Sequence, residues 1–290
     1  MCSDRTVLAV VVTTYSVPPA TLERCLRSVL DGGGADAVIV VDNGGQATVP
    51  DGVELLQPGR NGGFAAAANL GFGRAVTLGA TMCALLNDDV TVEPGWLEPL
   101  VAELRAGARV GAVQPKLLVA GSQPPQVNSL GVAQDRYGQG HDIAIGEPDD
   151  PDDVAPRDVE LFTGGAVLLA MDFVGDAGGF DERYFMYYED VDLARRGAER
   201  GWRYRCAPAS RVWPEGGVSA ATLGGRRAAL EERNRLWVLW RFADGPTTRA
   251  GLWLAMRRVG RAPRLRHLQG LVAGAVGFPR RRGERRRAAR

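Results

Sequence analysis

Two short acidic clusters contain the residues of this chain that are best suited to chemistry. The first is Asn87-Asp88-Asp89, and the second, about a hundred residues later, is Glu189-Asp190. Each cluster follows an apolar segment and precedes a polar turn or a helix. Carboxylates at such positions can hold a divalent cation with its phosphate ligand, and a carboxylate from elsewhere in the fold can accept a proton. This pairing is typical of transfer from a nucleotide-activated donor.

Strand-like and helix-like patterns alternate through the first ninety residues. Short apolar runs closed by polar residues or glycine predict strands at Val7–Val12, Ala37–Val41, Val53–Leu56 and Cys83–Leu86. Apolar residues recur at helical spacing in Pro19–Leu30 and Phe64–Gly79. This alternation predicts a largely parallel sheet, whose ligands bind at the carboxyl ends of the strands.

The rest of the first 200 residues mixes regular elements with one long irregular segment. The patterns predict a helix at Pro94–Arg105, a strand at Val110–Leu118, a strand at Leu161–Ala170 interrupted by Gly164-Gly165, and a helix at Val191–Arg200. Gly121–Pro156 is rich in Gly, Pro, Asp and Gln, which predicts a long surface excursion. A solvated loop is favoured there over a mobile lid or an acceptor-facing element.

Composition and charge fit one α/β domain with an appendage. The chain has 290 residues, of which 45% are hydrophobic and 24% charged, and its net charge is +1. That average hides a basic C-terminal region, because only Asp244 and Glu284 oppose the many arginines of Arg235–Arg290.

The cysteines and the chain start give expectations about the compartment. Cys2, Cys25, Cys83 and Cys206 include no CxxC pair, which predicts buried free thiols and a reducing cytosol. Met1–Thr14 has the pattern of a first strand rather than of a signal peptide, and no apolar stretch approaches the ~20 residues of a membrane-spanning helix. A cytoplasmic protein is therefore expected.

An ordered set of short motifs runs through most of the chain. The motifs are Thr13-Thr14-Tyr15, Val40-Val41-Asp42-Asn43, Arg60-Asn61-Gly62-Gly63-Phe64, Asn69-Leu70-Gly71, Leu86-Asn87-Asp88-Asp89-Val90, Thr163-Gly164-Gly165-Ala166, Gly178-Gly179-Phe180-Asp181-Glu182, Glu189-Asp190-Val191-Asp192-Leu193 and Arg233-Asn234-Arg235. Each motif is weak alone, but their order over Val7–Trp240 is specific. In this order they resemble family 2 glycosyltransferases, most closely the bacterial rhamnosyl- and galactofuranosyltransferase-like branch.

The resemblance implies a GT-A fold, which is an α/β fold with a mixed, mostly parallel sheet flanked by helices. A glycosyltransferase domain would cover residues 1–242, with a nucleotide-sugar half at about 1–120 and an acceptor half at about 121–242, and a C-terminal helical extension would cover 243–290. The implied reaction is inverting transfer from a UDP- or dTDP-sugar, with rhamnose favoured, to a hydroxyl of a cell-envelope glycan or a secondary metabolite. A base removes the hydroxyl proton without a covalent intermediate.

The resemblance also assigns roles to individual residues. Asp190 is the expected general base and Glu189 helps to position the acceptor, while Asp89 is the expected ligand of Mg²⁺ or Mn²⁺. Donor contacts are expected from Thr13, Thr14, Tyr15, Asp42, Asn43, Asn61, Gly63, Asn69, Asn87 and Asp88, and acceptor contacts from Gly164, Gly165, Tyr187, Tyr188 and Trp213.

Simpler local explanations exist for several of these residues. Asp42-Asn43-Gly44-Gly45 is a good turn by itself, and Asn61 can simply cap the helix that follows it. Asn87-Asp88-Asp89 can be a polar turn, and the acids of Glu189–Asp192 favour a helix N-terminus, with Asp192 paired to Arg196.

One position departs from the family pattern. Family members commonly carry a histidine, often a metal ligand, some two dozen residues after the acidic pair, and Pro214 stands there in this chain. Either Glu215 or diphosphate and water complete the metal shell, or the metal is held weakly, or none is used. His141 and His267 do not fit the pattern and are expected to be surface or loop residues.

The C-terminal region predicts basic amphipathic helices rather than a second core. Arg249–Arg290 combines apolar residues with many arginines, which suits either peripheral contact with the inner face of a cell membrane and a lipid-linked acceptor, or a solvated helical cap with a disordered tail. Nucleic-acid binding is disfavoured because the basic residues lack interleaved aromatics.

Two other functions remain open at the level of sequence. A nucleotidyltransferase would need basic residues near the first turn, which is Thr13-Thr14-Tyr15-Ser16 here. A catalytically silent nucleotide-sugar-binding homologue fits if Pro214 marks a lost metal site.

Overall fold

One ten-stranded sheet organises the N-terminal part of the chain. The computed structural model describes residues 7–216, 226–260 and 264–277. The strand order is β10-β12-β6-β11-β4-β1-β2-β3, with β5 on β12 and β7 on β6, and a separate hairpin is formed by β8 and β9. The strands are β1 Val7–Thr14, β2 Ala37–Asp42, β3 Val53–Leu56, β4 Ala80–Asn87, β5 Val90–Val92, β6 Val110–Leu118, β7 Val127–Ser129, β8 Val132–Gln134, β9 Gly140–Asp142, β10 Arg157–Val159, β11 Ala166–Ala170 and β12 Arg203–Pro214.

Helices cover both faces of this sheet. In chain order they are α1 Pro19–Gly32, α2 Gly63–Thr77, α3 Leu97–Arg105, α4 Met171–Ala177, α5 Glu189–Ala198, α6 Arg226–Phe242, α7 Gly245–Val259 and α8 Arg264–Val276. One apolar core lies between the sheet and α2, α4 and α5, and a second lies between the sheet and α1 and α3. The central strand β1 is almost fully buried because both of its faces are covered.

The predicted parallel α/β sheet is confirmed in its N-terminal half. β1 pairs in parallel with β2 and β4, and β2 pairs in parallel with β3. β11 is antiparallel to both β4 and β6, so it joins the two parts of the sheet. The carboxyl ends of β1 and β4 therefore lie side by side, with Thr13 opposite Asn87.

Some predicted boundaries were wrong. The third helix begins at Leu97 rather than at Pro94, and the strand predicted at Leu161–Ala170 begins only at Ala166. In the latter case Gly164 and Gly165 belong to the preceding turn, where the backbone amide of Gly164 bonds a side chain rather than a neighbouring strand.

The expectation of a solvated loop at Gly121–Pro156 was wrong for residues 127–142, whereas most of 143–156 is exposed as expected. This segment forms β7, β8 and β9, and Val127, Ser129 and Leu130 are buried. Its acidic end is fixed to the sheet because Asp149 accepts hydrogen bonds from Lys116 (2.9 Å) and Arg211 (2.8 Å). The ion pairs explain why acidic residues that look solvated in the sequence are held against the domain.

The C-terminal helices pack on the domain and share a small core of their own. Leu236, Leu239 and Trp240 of α6 are buried together with Ala255 of α7. Ala255 is the one fully buried member of this cluster that lies beyond residue 242 in the described part of the chain, so the cluster belongs mainly to α6. Among the described residues, no helix is long and apolar enough to cross a membrane. The Arg-rich stretch after Gly277 lies outside the described residues.

The cysteines and the ion pair predicted within the helix α5 are found as expected. Cys25, Cys83 and Cys206 are buried free thiols, and burial raises the pKa of each. Asp192 accepts a hydrogen bond from Arg196 at 2.7 Å, as predicted from their helical spacing. Cys2 lies outside the described residues.

Candidate active site

A cleft of about 990 Å³ opens at the carboxyl ends of β1 and β4. This volume is within the range of sites that enclose a small ligand or a cofactor. All but three of the predicted site residues line it: Thr13, Thr14, Tyr15, Asn43, Asn61, Gly63, Asn87, Asp88, Asp89, Gly164, Gly165, Tyr187, Tyr188, Glu189 and Asp190.

The turn between β4 and β5 places its two carboxylates at the cleft. Asp88 and Asp89 are only 2% and 6% exposed. The Asp88 carboxylate accepts a hydrogen bond from the backbone amide of Tyr15 at 3.3 Å, which joins this turn to the end of β1. The amide of Asn87 donates to the carbonyl of Gly165 at 2.9 Å. The acidic turn is therefore fixed from both sides before any ligand binds.

The start of α2 is closely packed against the aromatic segment that precedes α5. Gly63 has a φ of +85°, and a Cβ there would lie 2.3 Å from the carbonyl oxygen of Phe185. Asn61 accepts a hydrogen bond from the Gly63 amide at 2.9 Å and also lines the cleft, while the N-cap position of α2 is Gly62 rather than Asn61. The glycine is required here by both its conformation and its neighbour.

The acidic pair at the start of α5 lies in two different environments. Asp190 accepts hydrogen bonds from the amides of Gly164 (3.0 Å) and Val191 (2.8 Å). Burial raises the pKa of Asp190, and these amides oppose the rise by stabilising its charged form. Burial, followed by the neighbouring charge of Asp190, raises the pKa of Glu189 well above its usual value.

The hydrogen-bonding of the two carboxyls differs in the same way. One oxygen of Glu189, Oε2, is buried and has no hydrogen-bond partner among the described residues. Two adjacent buried carboxyls do not both ionise easily. The backbone donors favour the charged form of Asp190, and burial beside that charge favours the neutral form of Glu189.

The segment before this pair has an unusual backbone. Phe185, Tyr187 and Tyr188 have φ values of 67°, 71° and 66°, although none is glycine. Bulky residues with positive φ are uncommon and each is unfavourable by about 1–3 kcal/mol, so the surroundings must hold them in place.

A single buried asparagine supplies much of that restraint. Asn234 of α6 is fully buried, and its amide nitrogen donates to the carbonyls of Tyr184 (3.1 Å), Met186 (2.8 Å) and Tyr187 (2.7 Å). Its neighbour Arg233 also donates to the Tyr184 carbonyl at 2.7 Å. Sequence reasoning noted Arg233-Asn234-Arg235 only as part of a resemblance, because nothing local reveals that α6 returns to this loop.

Residues from the supposed solvated loop form one side of the cleft. Asn128, Gln139, His141 and Asp142 line it. Burial raises the pKa of Asp142, and the charge of Asp142 contributes to the raised pKa of Asp190. His141 lies on β9 and pairs with Asp135 at 3.3 Å. These residues were missed because the segment was expected to be solvated.

Asp42, Asn69 and Trp213 do not line the cleft, and each has a structural partner instead. Burial favours a higher pKa for Asp42, but hydrogen bonds from the amides of Ala47 and Gly44 outweigh it and lower the pKa. Asn69 exchanges two hydrogen bonds of 2.9 Å with the backbone of Phe180. The Trp213 indole donates to Glu93 at 2.9 Å. Donor or acceptor contact by these three side chains therefore has no geometric support.

Few side chains in the cleft could bind a metal ion, but those present are chemically suitable ligands. No group of three or more His, Cys, Asp or Glu side chains suited to a metal is found in the part of the chain that the structure describes. Pro214 does lie at the cleft, and it pairs with Val90 beside the acidic turn. Asp88 and Asp89 are hard oxygen ligands, so they fit Mg²⁺ or Mn²⁺ if the remaining ligands are diphosphate and water.

Glu215 has other partners in this structure. Its carboxylate makes a bidentate ion pair with Arg24, with oxygen to nitrogen distances of 2.7 Å. Its backbone amide donates to the carbonyl of Asp89 at 2.7 Å, which holds the end of β12 next to the acidic turn. Among the alternatives for completing the metal shell, this pairing favours diphosphate and water over Glu215.

Comparison with known proteins agrees with this geometry. The family model described as glycosyl transferase family 2 matches residues 9–126. An N-acetylglucosaminyl-diphospho-decaprenol L-rhamnosyltransferase of Mycobacterium tuberculosis is 30% identical over 232 residues, which cover 71% of this chain and 75% of that protein. The chain belongs to glycosyl transferase family 2. It is therefore a glycosyltransferase with a nucleotide-sugar donor.

Other similarities extend this result. A pre-mycofactocin glycosyltransferase of Mycobacterium tuberculosis is 33% identical over 187 residues, which cover 60% of this chain and 36% of that protein. A structure of GalNAc-T7 with UDP, GalNAc and Mn²⁺ has a TM-score of 0.67 at 16% identity and covers 90% of this chain and 52% of its own. The mannosyltransferase PcManGT of Pyrobaculum calidifontis, in complex with GDP-Man and Mn²⁺, has a TM-score of 0.54 at 16% identity and covers 96% of this chain and 88% of its own. The predicted GT-A fold is confirmed.

Proposed function

We propose that this enzyme transfers a sugar, with rhamnose favoured, from a UDP- or dTDP-sugar to an acceptor hydroxyl with inversion at the anomeric carbon. The observation that carries the proposal is the position of Asp190, whose carboxyl accepts two backbone hydrogen bonds, in the same cleft as the acidic turn Asp88-Asp89. A base and a diphosphate site are the two parts that a single displacement requires.

The donor lies along the carboxyl ends of β1 and β4 in this proposal. Thr13, Thr14 and Tyr15 contact the nucleoside, and Asn87 and Asp88 contact the ribose or bridging water. Asn43 has a buried side-chain oxygen without a hydrogen-bond partner among the described residues, which supports a polar ligand nearby.

A divalent cation held by Asp89, with Asp88 beside it, would neutralise the growing charge of the leaving diphosphate. The Tyr15 amide already holds the Asp88 carboxylate, and the Glu215 amide holds the Asp89 carbonyl, so the turn keeps its position when the donor enters. Pro214 occupies the neighbouring position without a ligand atom. Diphosphate and water oxygens therefore supply the other ligands.

The acceptor enters from the side of α5, α6 and the β8–β9 hairpin. Gly164 and Gly165 leave room beside Asp190, and a Cβ at Gly164 would lie 3.6 Å from the Asp190 Cβ. Tyr187 and Tyr188 provide aromatic surface for a sugar face, and the Tyr187 hydroxyl is buried without a hydrogen-bond partner among the described residues. Asp190 takes the hydroxyl proton, and neutral Glu189 holds the acceptor.

The likeness to the decaprenol-linked rhamnosyltransferase supports a lipid-linked glycan acceptor. Peripheral contact between the basic C-terminal extension and a membrane would suit such an acceptor. Arg227 and Arg258 line the cleft on the acceptor side, where they can meet an acceptor phosphate. A secondary-metabolite acceptor remains the alternative within the same chemistry.

The test is release of nucleoside diphosphate from a panel of UDP- and dTDP-sugars with Mn²⁺, with and without an N-acetylglucosaminyl-diphospho-lipid acceptor. We expect acceptor-dependent release from a dTDP- or UDP-6-deoxyhexose. Donor binding without release from any donor or acceptor would instead support the silent homologue, which the missing ligand at Pro214 favours.

A further inference from the structure

The helix α8 presents its bulky apolar residues outward. Leu265, Leu268, Val272 and Val276 are 75%, 43%, 54% and 77% exposed. Their spacing of three or four residues places them along one side of the helix, which we call the apolar face of α8. A helix on the surface of a water-soluble domain normally turns such a stripe toward the core.

The opposite side of α8 carries Gly270 and Gly274, with Leu271 packed beside them, and it lies tightly on α6. A Cβ at Gly270 would lie 2.7 Å from the carbonyl oxygen of Ala229, and a Cβ at Gly274 would lie 2.6 Å from a methyl group of Leu236. The Trp240 indole donates to the Gly274 carbonyl at 3.0 Å, which fixes the rotation of α8. The exposure of the apolar face therefore follows from close packing and not from a loosely attached helix.

The part of the sequence that contains this helix is strongly basic. From Arg249 to Arg290 the sequence contains thirteen arginines and one acidic residue, Glu284. Arg266 lies on α8 itself, and the exposed Arg249 and Arg257 lie on α7, which packs against α8. Apolar side chains flanked by arginines complement the interface of an anionic bilayer, where acyl chains lie beneath negative headgroups.

We propose that the apolar face of α8 inserts into the headgroup region of an anionic lipid bilayer. The helix has 13 residues, whereas spanning a bilayer takes about 20. It therefore lies along the membrane surface. This inference deepens the proposed function, because a lipid-linked acceptor would then be presented on the same surface to which the enzyme is bound.

A second copy of the chain fits this face less well. A helix of 13 residues is about 20 Å long and 10 Å wide, so its face has an area on the order of 200 Å². A stable interface buries about 800 Å² on each partner. Pairing α8 with its copy would also bring two arginine-rich segments together, which is electrostatically unfavourable.

The experiment measures binding to vesicles of phosphatidylcholine alone and of phosphatidylcholine with phosphatidylglycerol, by co-sedimentation without donor or acceptor. The variant Leu268→Gln with Val272→Gln removes half of the apolar face. Its matched control is Leu30→Gln with Val76→Gln on α1 and α2, because those two residues have the same identities and similar exposures of 43% and 57%.

We expect the wild type and the control to bind anionic vesicles, and the α8 variant to bind at least about tenfold more weakly, since two buried apolar side chains are lost. Weaker binding to neutral vesicles and at high salt is also expected. Equal binding by the α8 variant, equal binding to neutral vesicles, or no wild-type binding would overturn the proposal. So would a wild-type dimer that the α8 variant dissociates.

Failure here is distinguishable from failure of the proposed function. Release of nucleoside diphosphate with a short-chain soluble acceptor does not need a membrane, and the α8 variant should retain the wild-type rate in that assay. A protein that transfers sugar without binding vesicles would overturn only the membrane inference.

Discussion

Single substitutions of the two adjacent carboxyls of α5 should show which of them is the charged base and which is the neutral acid. Glu189→Gln preserves the shape and hydrogen-bonding capacity of a protonated glutamate, so we expect the transfer rate to stay within about tenfold of wild type. Asp190→Asn removes the proton acceptor, and loss of a general base typically lowers rates by about 10²–10⁴-fold.

The structure gives the reason for this asymmetry. Asp190 receives two backbone hydrogen bonds that favour its ionised form, whereas Glu189 has a buried oxygen without a partner among the described residues. The expected loss for Asp190→Asn corresponds to about 2.7–5.5 kcal/mol of transition-state stabilisation, at 1.36 kcal/mol for each tenfold change. Donor affinity should be nearly unchanged, because Asp190 acts on the acceptor.

The assay is nucleoside diphosphate release at saturating donor, together with donor affinity by calorimetry. Glu199→Gln is the matched control, because it makes the same change at an exposed position at the far end of α5. A Glu189→Gln rate as low as that of Asp190→Asn, with normal donor affinity and folding, would show that Glu189 carries the charge and would refute the reasoning.

Four further predictions address the rest of the site. Asp89→Ala should weaken nucleoside diphosphate binding by at least about tenfold with Mn²⁺ but little in EDTA; equal affinities in calorimetry would remove Asp89 from the metal site. Pro214→His should lower the Mn²⁺ concentration for half-maximal activity, because the imidazole would enter beside the acidic turn; an unchanged titration would place this position away from the metal. Asn234→Asp should lower kcat by more than about tenfold with a small change in donor affinity, because it removes the donors that hold the strained loop; wild-type kcat would contradict that restraint. Asp142→Asn should lower the pKa of Asp190 by removing a negative charge, so the acid limb of the pH–rate profile should move to lower pH; no movement, or movement to higher pH, would contradict the coupling.

The sequence predicts the parts of the fold that depend on local pattern. Strands such as Val7–Thr14 are continuous apolar runs closed by polar residues, and parallel pairing then brings their ends together at one edge. This is why Thr13, Asn87 and Asp88 were correctly expected at one cleft. The local patterns did not predict the order of the strands in the sheet.

The parts that were missed depend on contacts between distant segments. Asn234 lies nearly fifty residues after the loop that it holds, and its bonds to Met186 and Tyr187 have no local signature. Asp142 lies in the segment Gly121–Pro156, which was expected to be solvated because of its Gly, Pro, Asp and Gln content, although the ion pairs of Asp149 hold that segment against the sheet. A polar segment held by buried ion pairs has the same composition as a solvated loop.

The most direct test of the central claim is the anomeric configuration of the product, determined by NMR after transfer from a nucleotide sugar of defined configuration to an N-acetylglucosaminyl-diphospho-lipid analogue. Single displacement assisted by Asp190 predicts a glycosidic bond of opposite configuration to that of the donor. A product with the donor's own configuration would contradict the account, because it would require either a covalent intermediate or attack from the face of the leaving group.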